Sequence, residues 1–88
     1  MFTPDQLRAA RALLNWSQDD LASAAGVAVM MIKNYERQLS DPRLSSMTKL
    51  KKTLEEAGIE FIDATDHVGA GLRWSTPRNG SVTAKEGK

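Results

Sequence analysis

Eighty-eight residues, twelve lysines and arginines against eleven acids and a formal charge of +1 fit one small domain without a strong electrostatic footprint. The lack of cysteine excludes disulfides and thiol chemistry and leads us to expect a cytoplasmic protein. The start MFTPDQL has neither the basic leader nor the apolar stretch of a signal peptide, and no apolar run is long enough to span a bilayer, so no membrane partner is expected.

The first element begins at Thr3-Pro4-Asp5-Gln6. Thr3 suits the N-cap, Pro4 suits the first helical position, and Gln6 can return a bond to close a capping box. The helix should run to about residue 14, with Leu7, Ala10, Leu13 and Leu14 inward and Arg8 and Arg11 on its flanks. Trp16 stands just ahead of the next cap and reads as a packing residue for the second helix. Ser17 and Asp20 form an acidic version of the capping box, and Leu21, Ala22 and Ala25 supply an apolar stripe. Gly26 ends this helix, since glycine enters the left-handed conformation without a Cβ penalty. Another helical run follows from about residue 28 to 37, with Ile32 as a core contact and Tyr35 beside it. Two short helices joined by a glycine turn have the geometry of a helix-turn-helix, and the small Ala22 suits a steep crossing.

Gln18, Leu21-Ala22, Ala25-Gly26-Val27, Ile32 and Glu36 stand at offsets that resemble the phage-repressor-type (XRE-like) helix-turn-helix domain. Leu7, Ala10, Arg11 and Leu14-Asn15-Trp16 fit its leading run, and the resemblance extends through Asp41-Pro42 to Gly58. It implies a transcriptional regulator that binds double-stranded DNA and is not an enzyme. By that resemblance Gln18 approaches the DNA backbone and contacts the recognition helix, Arg43 lies in a loop that follows the phosphates, and Glu36 is internal, bonding an arginine or backbone groups. Lys33 and Arg37 complete the expected backbone contacts. The recognition helix would present Ala28, Val29 and Met30, then Lys33 and Asn34, to a major groove.

The chain departs from the family at that helix. Members commonly have serine at the position of Ala28, which cannot cap. Ala28, Val29 and Met30 carry no group that hydrogen-bonds a base edge, leaving only apolar contact with a thymine methyl. An exposed Val29-Met30-Met31 start also suits a protein-contact surface, so a protein partner at Val29 and Met30 stands as the alternative. Such a module would be an anti-activator or partner subunit that keeps the fold. Helical spacing equally allows Met31 to be core. Asn34 can pair with adenine or reach a phosphate. Gln38 stands where the family usually has glycine, which implies a left-handed non-glycine residue or an altered helix end.

Beyond the loop with Pro42, Ser45 or Ser46 should cap a fourth helix that reaches Ala57, with Met47, Leu50, Leu54 and Ala57 inward and Gly58 as its stop. Lys49, Lys51 and Lys52 are partly cancelled by Glu55 and Glu56. Ile59-Glu60-Phe61-Ile62 and Gly71-Leu72-Arg73-Trp74 then read as a β-hairpin. Because an isolated two-stranded hairpin is barely stable, Ile59, Phe61, Ile62, Leu72 and Trp74 are expected at a homodimer contact, which would also set two recognition helices one DNA turn apart. Residues from Ser75 onward have the composition of a disordered tail. Asp63, Asp66 and His67 are too few and too loosely placed for a metal site, no cofactor is expected, and no nucleophile–base–orienter set can be assembled.

The expected architecture is mostly α. A four-helix repressor-like helix-turn-helix domain (residues 1–58) precedes a β extension that serves as a dimer contact (residues 59–74) and a disordered tail (residues 75–88). The expected function is that of a sequence-specific DNA-binding transcriptional regulator, acting as a dimeric repressor.

Overall fold

The computed structural model describes residues 2–77, so residues 78–88 of the expected tail lie outside it. Four helices come first: α1 (Pro4–Leu14), α2 (Gln18–Ala25), α3 (Val29–Glu36) and α4 (Leu44–Glu56). They are followed by an antiparallel hairpin of β1 (Ile59–Ile62) and β2 (Gly71–Trp74).

The first two helices start from closed capping boxes. Thr3 Oγ1 accepts from the Gln6 N–H at 3.1 Å while Gln6 Oε1 accepts from the Thr3 N–H at 2.8 Å. Ser17 and Asp20 make the same exchange at 3.0 and 2.9 Å. Each box satisfies two of the N–H groups that a helix start leaves without partners. The other two helices start bare, with Ala28 and Arg43 at their N-caps and no side-chain cap bond at either. For α4 this corrects the expected serine cap. After Pro42 the backbone is still extended at Arg43 (φ −65°, ψ 149°) and turns helical at Leu44, so Ser45 and Ser46 already lie inside the helix.

Helix ends follow the sequence more closely. Gly26 closes α2 at φ +70°, with nothing within 4 Å of where a Cβ would stand, so its backbone conformation alone calls for glycine. Gln38, beyond α3, adopts φ 59° and is a left-handed non-glycine residue.

Leu7, Leu21, Ile32, Leu50, Leu54 and Ile59 are the largest fully buried side chains, so each helix and β1 contributes to one core. Each such burial is worth roughly 1.5–3 kcal/mol relative to exposure. Leu13, expected inward, is 40% exposed. One position before Leu14, it is turned about 100° off the stripe that faces the core. It lines a shallow groove between α1 and β2 with Ala9 and Leu72.

The hairpin pairs Ile59 with Trp74, Glu60 with Arg73, Phe61 with Leu72 and Ile62 with Gly71. Strand alternation therefore sets Ile59, Phe61, Leu72 and Trp74 on one face. That face meets the helices: Ile59 is 1% exposed, and Phe61, Leu72 and Trp74 pack against the core. Phe2 stacks on Phe61 at 5.0 Å and meets Tyr35 edge-on at 6.0 Å. Tyr35 Oη donates to the Phe2 carbonyl at 2.6 Å. Burial, with the nearby Asp41 charge, pushes the Tyr35 phenol above its ordinary pKa.

Gln6 completes the docking. Its Nε2 donates to the Gly71 carbonyl at 2.7 Å and to the Ile62 carbonyl at 3.2 Å. The residues expected to meet a second subunit thus mostly close this subunit's own core. Ile59 has no surface left to offer, and Ile62 alone of the five lies on the opposite face, with Glu60 and Arg73.

Candidate nucleic-acid interface

A buried charge sets the geometry of the motif. The Glu36 side chain is 4% exposed, and the Arg11 guanidinium grips both of its oxygens, Nε to Oε2 and Nη2 to Oε1, each at 2.7 Å. Gln18 Nε2 adds a bond to Glu36 Oε1 at 3.1 Å. Arg11 Nη1 also donates to the Trp16 carbonyl at 3.2 Å, and Arg8 Nη1 donates to the Glu36 carbonyl at 2.6 Å. Arg8 pairs with Asp5 through its other nitrogen. A planar fork of this kind fixes orientation as well as distance, and here it joins α1, α2 and α3. Arg11, read from sequence as a flank residue, is therefore central. Its partner lies 25 residues away, and only the family resemblance hinted at an arginine.

With Glu36 and Ile32 buried one turn apart, the inner stripe of α3 is settled. Val29, Met31 and Tyr35 flank it and pack against the core. Helical spacing leaves Met30, Lys33, Asn34 and Arg37 on the outer stripe. Of the apolar Val29-Met30-Met31 run, only Met30 stands well exposed, at 56%. Ala28 is exposed at the helix start. The patch that would suit a protein partner at Val29 and Met30 is reduced to one side chain beside two cations.

Four of the nine described lysines and arginines are tied to acids, and five, Lys49 and Lys52 of α4 among them, are not. Arg8, Arg11, Lys51 and Arg73 are paired with Asp5, Glu36, Glu55 and Glu60. Among the described residues, the side chains of Lys33, Arg37 and Arg43 make no ion pair, and with Asn34 they make no hydrogen bond. Lys33 and Asn34 are half-buried, and Arg37 and Arg43 are exposed. Glu36 lies on the inner stripe, so no acid shares the outer stripe of α3. Gln18 is half-buried at the start of α2, with its amide engaged by Glu36. Asp20 is tied back to Ser17, while Asp19 is exposed. The uncapped starts of α3 and α4 hold backbone N–H groups of the kind that phosphate oxygens accept from.

A family model described as helix-turn-helix matches residues 7–59. The chain belongs to that family, in its phage-repressor-type (XRE-like) form. No curated protein matches it. The match runs from buried Leu7 to buried Ile59, the first residue of β1, so most of the hairpin lies beyond it.

The protein is thus a DNA-binding helix-turn-helix regulatory domain. Regulators of this family are non-catalytic. The loop containing Asp63, Asp66 and His67 is exposed and organised by Thr65, whose Oγ1 accepts from the Val68 N–H at 3.0 Å. Among the described residues no group of three or more His, Cys, Asp or Glu side chains could hold a metal, and no helix is long and apolar enough to cross a membrane.

Proposed function

We propose that this helix-turn-helix protein is a sequence-specific transcriptional repressor that binds its operator as a homodimer. The outer stripe of α3 lies in the major groove, with Ala28 and Met30 deepest and Lys33 and Asn34 following. Lys33, Arg37 and Arg43 hold phosphates, Gln18 braces the start of α2 against the backbone, and the uncapped starts of α3 and α4 add N–H donors. The observation that carries this reading is the acid-free outer stripe of α3. Lys33, Arg37 and the nearby Arg43 make no ion pair among the described residues, as is also true of Lys49 and Lys52 on α4, while the only acid of α3, Glu36, is buried and held by Arg11. A small net charge is then compatible with nucleic-acid binding, because the charge that matters is local.

For the dimer, the surface best suited is the rim of the groove between α1 and the hairpin, where Leu13 is 40% exposed. Leu72 lines the same groove, and the exposed parts of Phe61 and Trp74, on its face of the hairpin, extend the apolar surface, whereas Ile62 lies on the other face. Ile59 is outside this set. A two-fold axis there would present two copies of α3 to half-sites about 34 Å apart.

The test is a salt titration of affinity for duplex DNA, with the sedimentation mass followed in parallel. Lys33→Gln, Arg37→Gln and Arg43→Gln should each weaken binding across all sequences and flatten the salt slope by about one unit. A failure to bind any duplex at low salt overturns the reading, and a monomer on DNA overturns its dimeric part.

A further inference from the structure

Resting on the DNA reading above, we propose that α3 recognises thymine in its half-site through the C5-methyl group, with Met30 as the residue that contacts it and Ala28 beside it. The geometry narrows what the groove floor can meet. Recognition helices present their N-terminal turn to base edges. In that turn Val29 faces the core, so the outward groups are the Ala28 methyl and the Met30 thioether. Neither has a hydrogen-bond donor, and the thioether is at most a weak acceptor.

The thymine methyl is the apolar group on the major-groove edge of the base pairs. A thioether seated over the amino group of cytosine, or over the acceptors of guanine, would strip water from groups it cannot satisfy. Seated over a methyl it loses nothing and excludes water from both. Methionine also has the flexibility to settle on an irregular surface.

Met30 has no role inside the fold to explain it. It is 56% exposed while its neighbours Val29 and Met31 pack against the core. On α3 itself Met30 is the one large apolar side chain that stands exposed, bordered by Lys33, Asn34 and Arg37.

The experiment uses the full chain and a duplex selected from a pool of short random sequences. Uracil is then placed at each thymine in turn, which removes the methyl and keeps every hydrogen-bonding group. At the contacted positions affinity should fall about fourfold per methyl. Met30→Ala should bind the thymine duplex more weakly and should lose the difference between thymine and uracil at those positions. Its exposed position predicts an unchanged melting temperature, which separates loss of contact from loss of fold. Indifference to uracil at every position overturns the inference while leaving DNA binding intact, as does a Met30→Ala protein that keeps full uracil sensitivity. If no duplex is selected even at low salt, the DNA reading falls and the inference falls with it.

Discussion

Two buried polar side chains hold this molecule together, and they differ in kind. Glu36 is charged, 4% exposed at its side chain, and bonded by Arg11 and Gln18 from two other helices. Gln6 is neutral, 5% exposed, and bonds Thr3 at its own helix start and the Ile62 and Gly71 carbonyls of the hairpin. The first lock joins residues that all fall within the matched stretch 7–59, whereas Gln6 and its three partners all fall outside it. The helix-turn-helix angle is therefore built by the part of the chain its family shares. The hairpin is fastened by contacts that lie outside that part. A charged lock is intolerant of losing one partner, because an uncompensated charge stays buried, while a neutral lock loses only its bonds.

The largest effect should come from Arg11→Met, which leaves the Glu36 carboxylate buried with only Gln18 beside it. We expect a loss of at least about 3 kcal/mol in urea unfolding, a large fraction of the stability of a domain this small. DNA affinity should fall with it. The decisive companion is Arg11→Met combined with Glu36→Met, since removing both charges should recover much of the loss. A double variant as unstable as the single one would mean that the ion pair matters for packing rather than charge.

Gln6→Ala tests the neutral lock. Three hydrogen bonds go, at about 1 kcal/mol or less each once water repairs part of the damage, so a loss of about 2 kcal/mol is expected. Its distribution matters more than its size. Amides of β1 and β2 should exchange faster while those of α2 and α3 keep their protection, because the helices retain the Glu36 lock. Uniform loss of protection would show the hairpin and the helices to be one cooperative unit. Gln38→Gly acts at the end of α3, where a non-glycine residue sits at φ 59°. Relief of that conformation, reduced by glycine's entropy in the unfolded chain, should raise stability by about 0.5 kcal/mol, seen as a melting point roughly 3 °C higher.

The two locks also mark what could be read from sequence. Both capping boxes were legible because their partners lie three residues apart, as was the glycine stop of α2 and the pairing of the two strand segments. Glu36 was identifiable as internal from the family pattern, yet the fork from Arg11 was not, since arginines on the flank of a helix look alike until a partner is placed. Gln6 was read as half of a capping box, correctly. Its bonds to carbonyls 56 and 65 residues away have no local signature.

The recognition helix divides in the same way. Its position followed from spacing, but which of Val29, Met30 and Met31 would stand outward depended on how Glu36 and Ile32 rotate the helix. The start of α4 was misplaced because serine is a favoured cap wherever the backbone permits, and here the backbone turned helical one residue before the first of them.

The smallest effect belongs to a third polar contact, on the outer face of the hairpin, where neither lock reaches. Arg73 donates to both Glu60 oxygens, at 3.1 and 3.2 Å, from an exposed position. Hydrogen bonding, then the positive charge, holds the Glu60 carboxyl below its ordinary 4.5. A carboxyl more acidic in the folded chain than in the unfolded one contributes fully at neutral pH and loses that contribution as pH falls through its folded-state value. Water and salt screen an exposed pair, so the contribution itself is small. The melting-point difference between the parent protein and Arg73→Gln should therefore be slight near neutrality and vanish as pH falls through the lowered folded-state value of Glu60. High salt at neutral pH should shrink it as well. A difference that persists at acid pH would assign the role of Arg73 to its apolar stem covering the sheet, which would give the hairpin a second anchor besides Gln6.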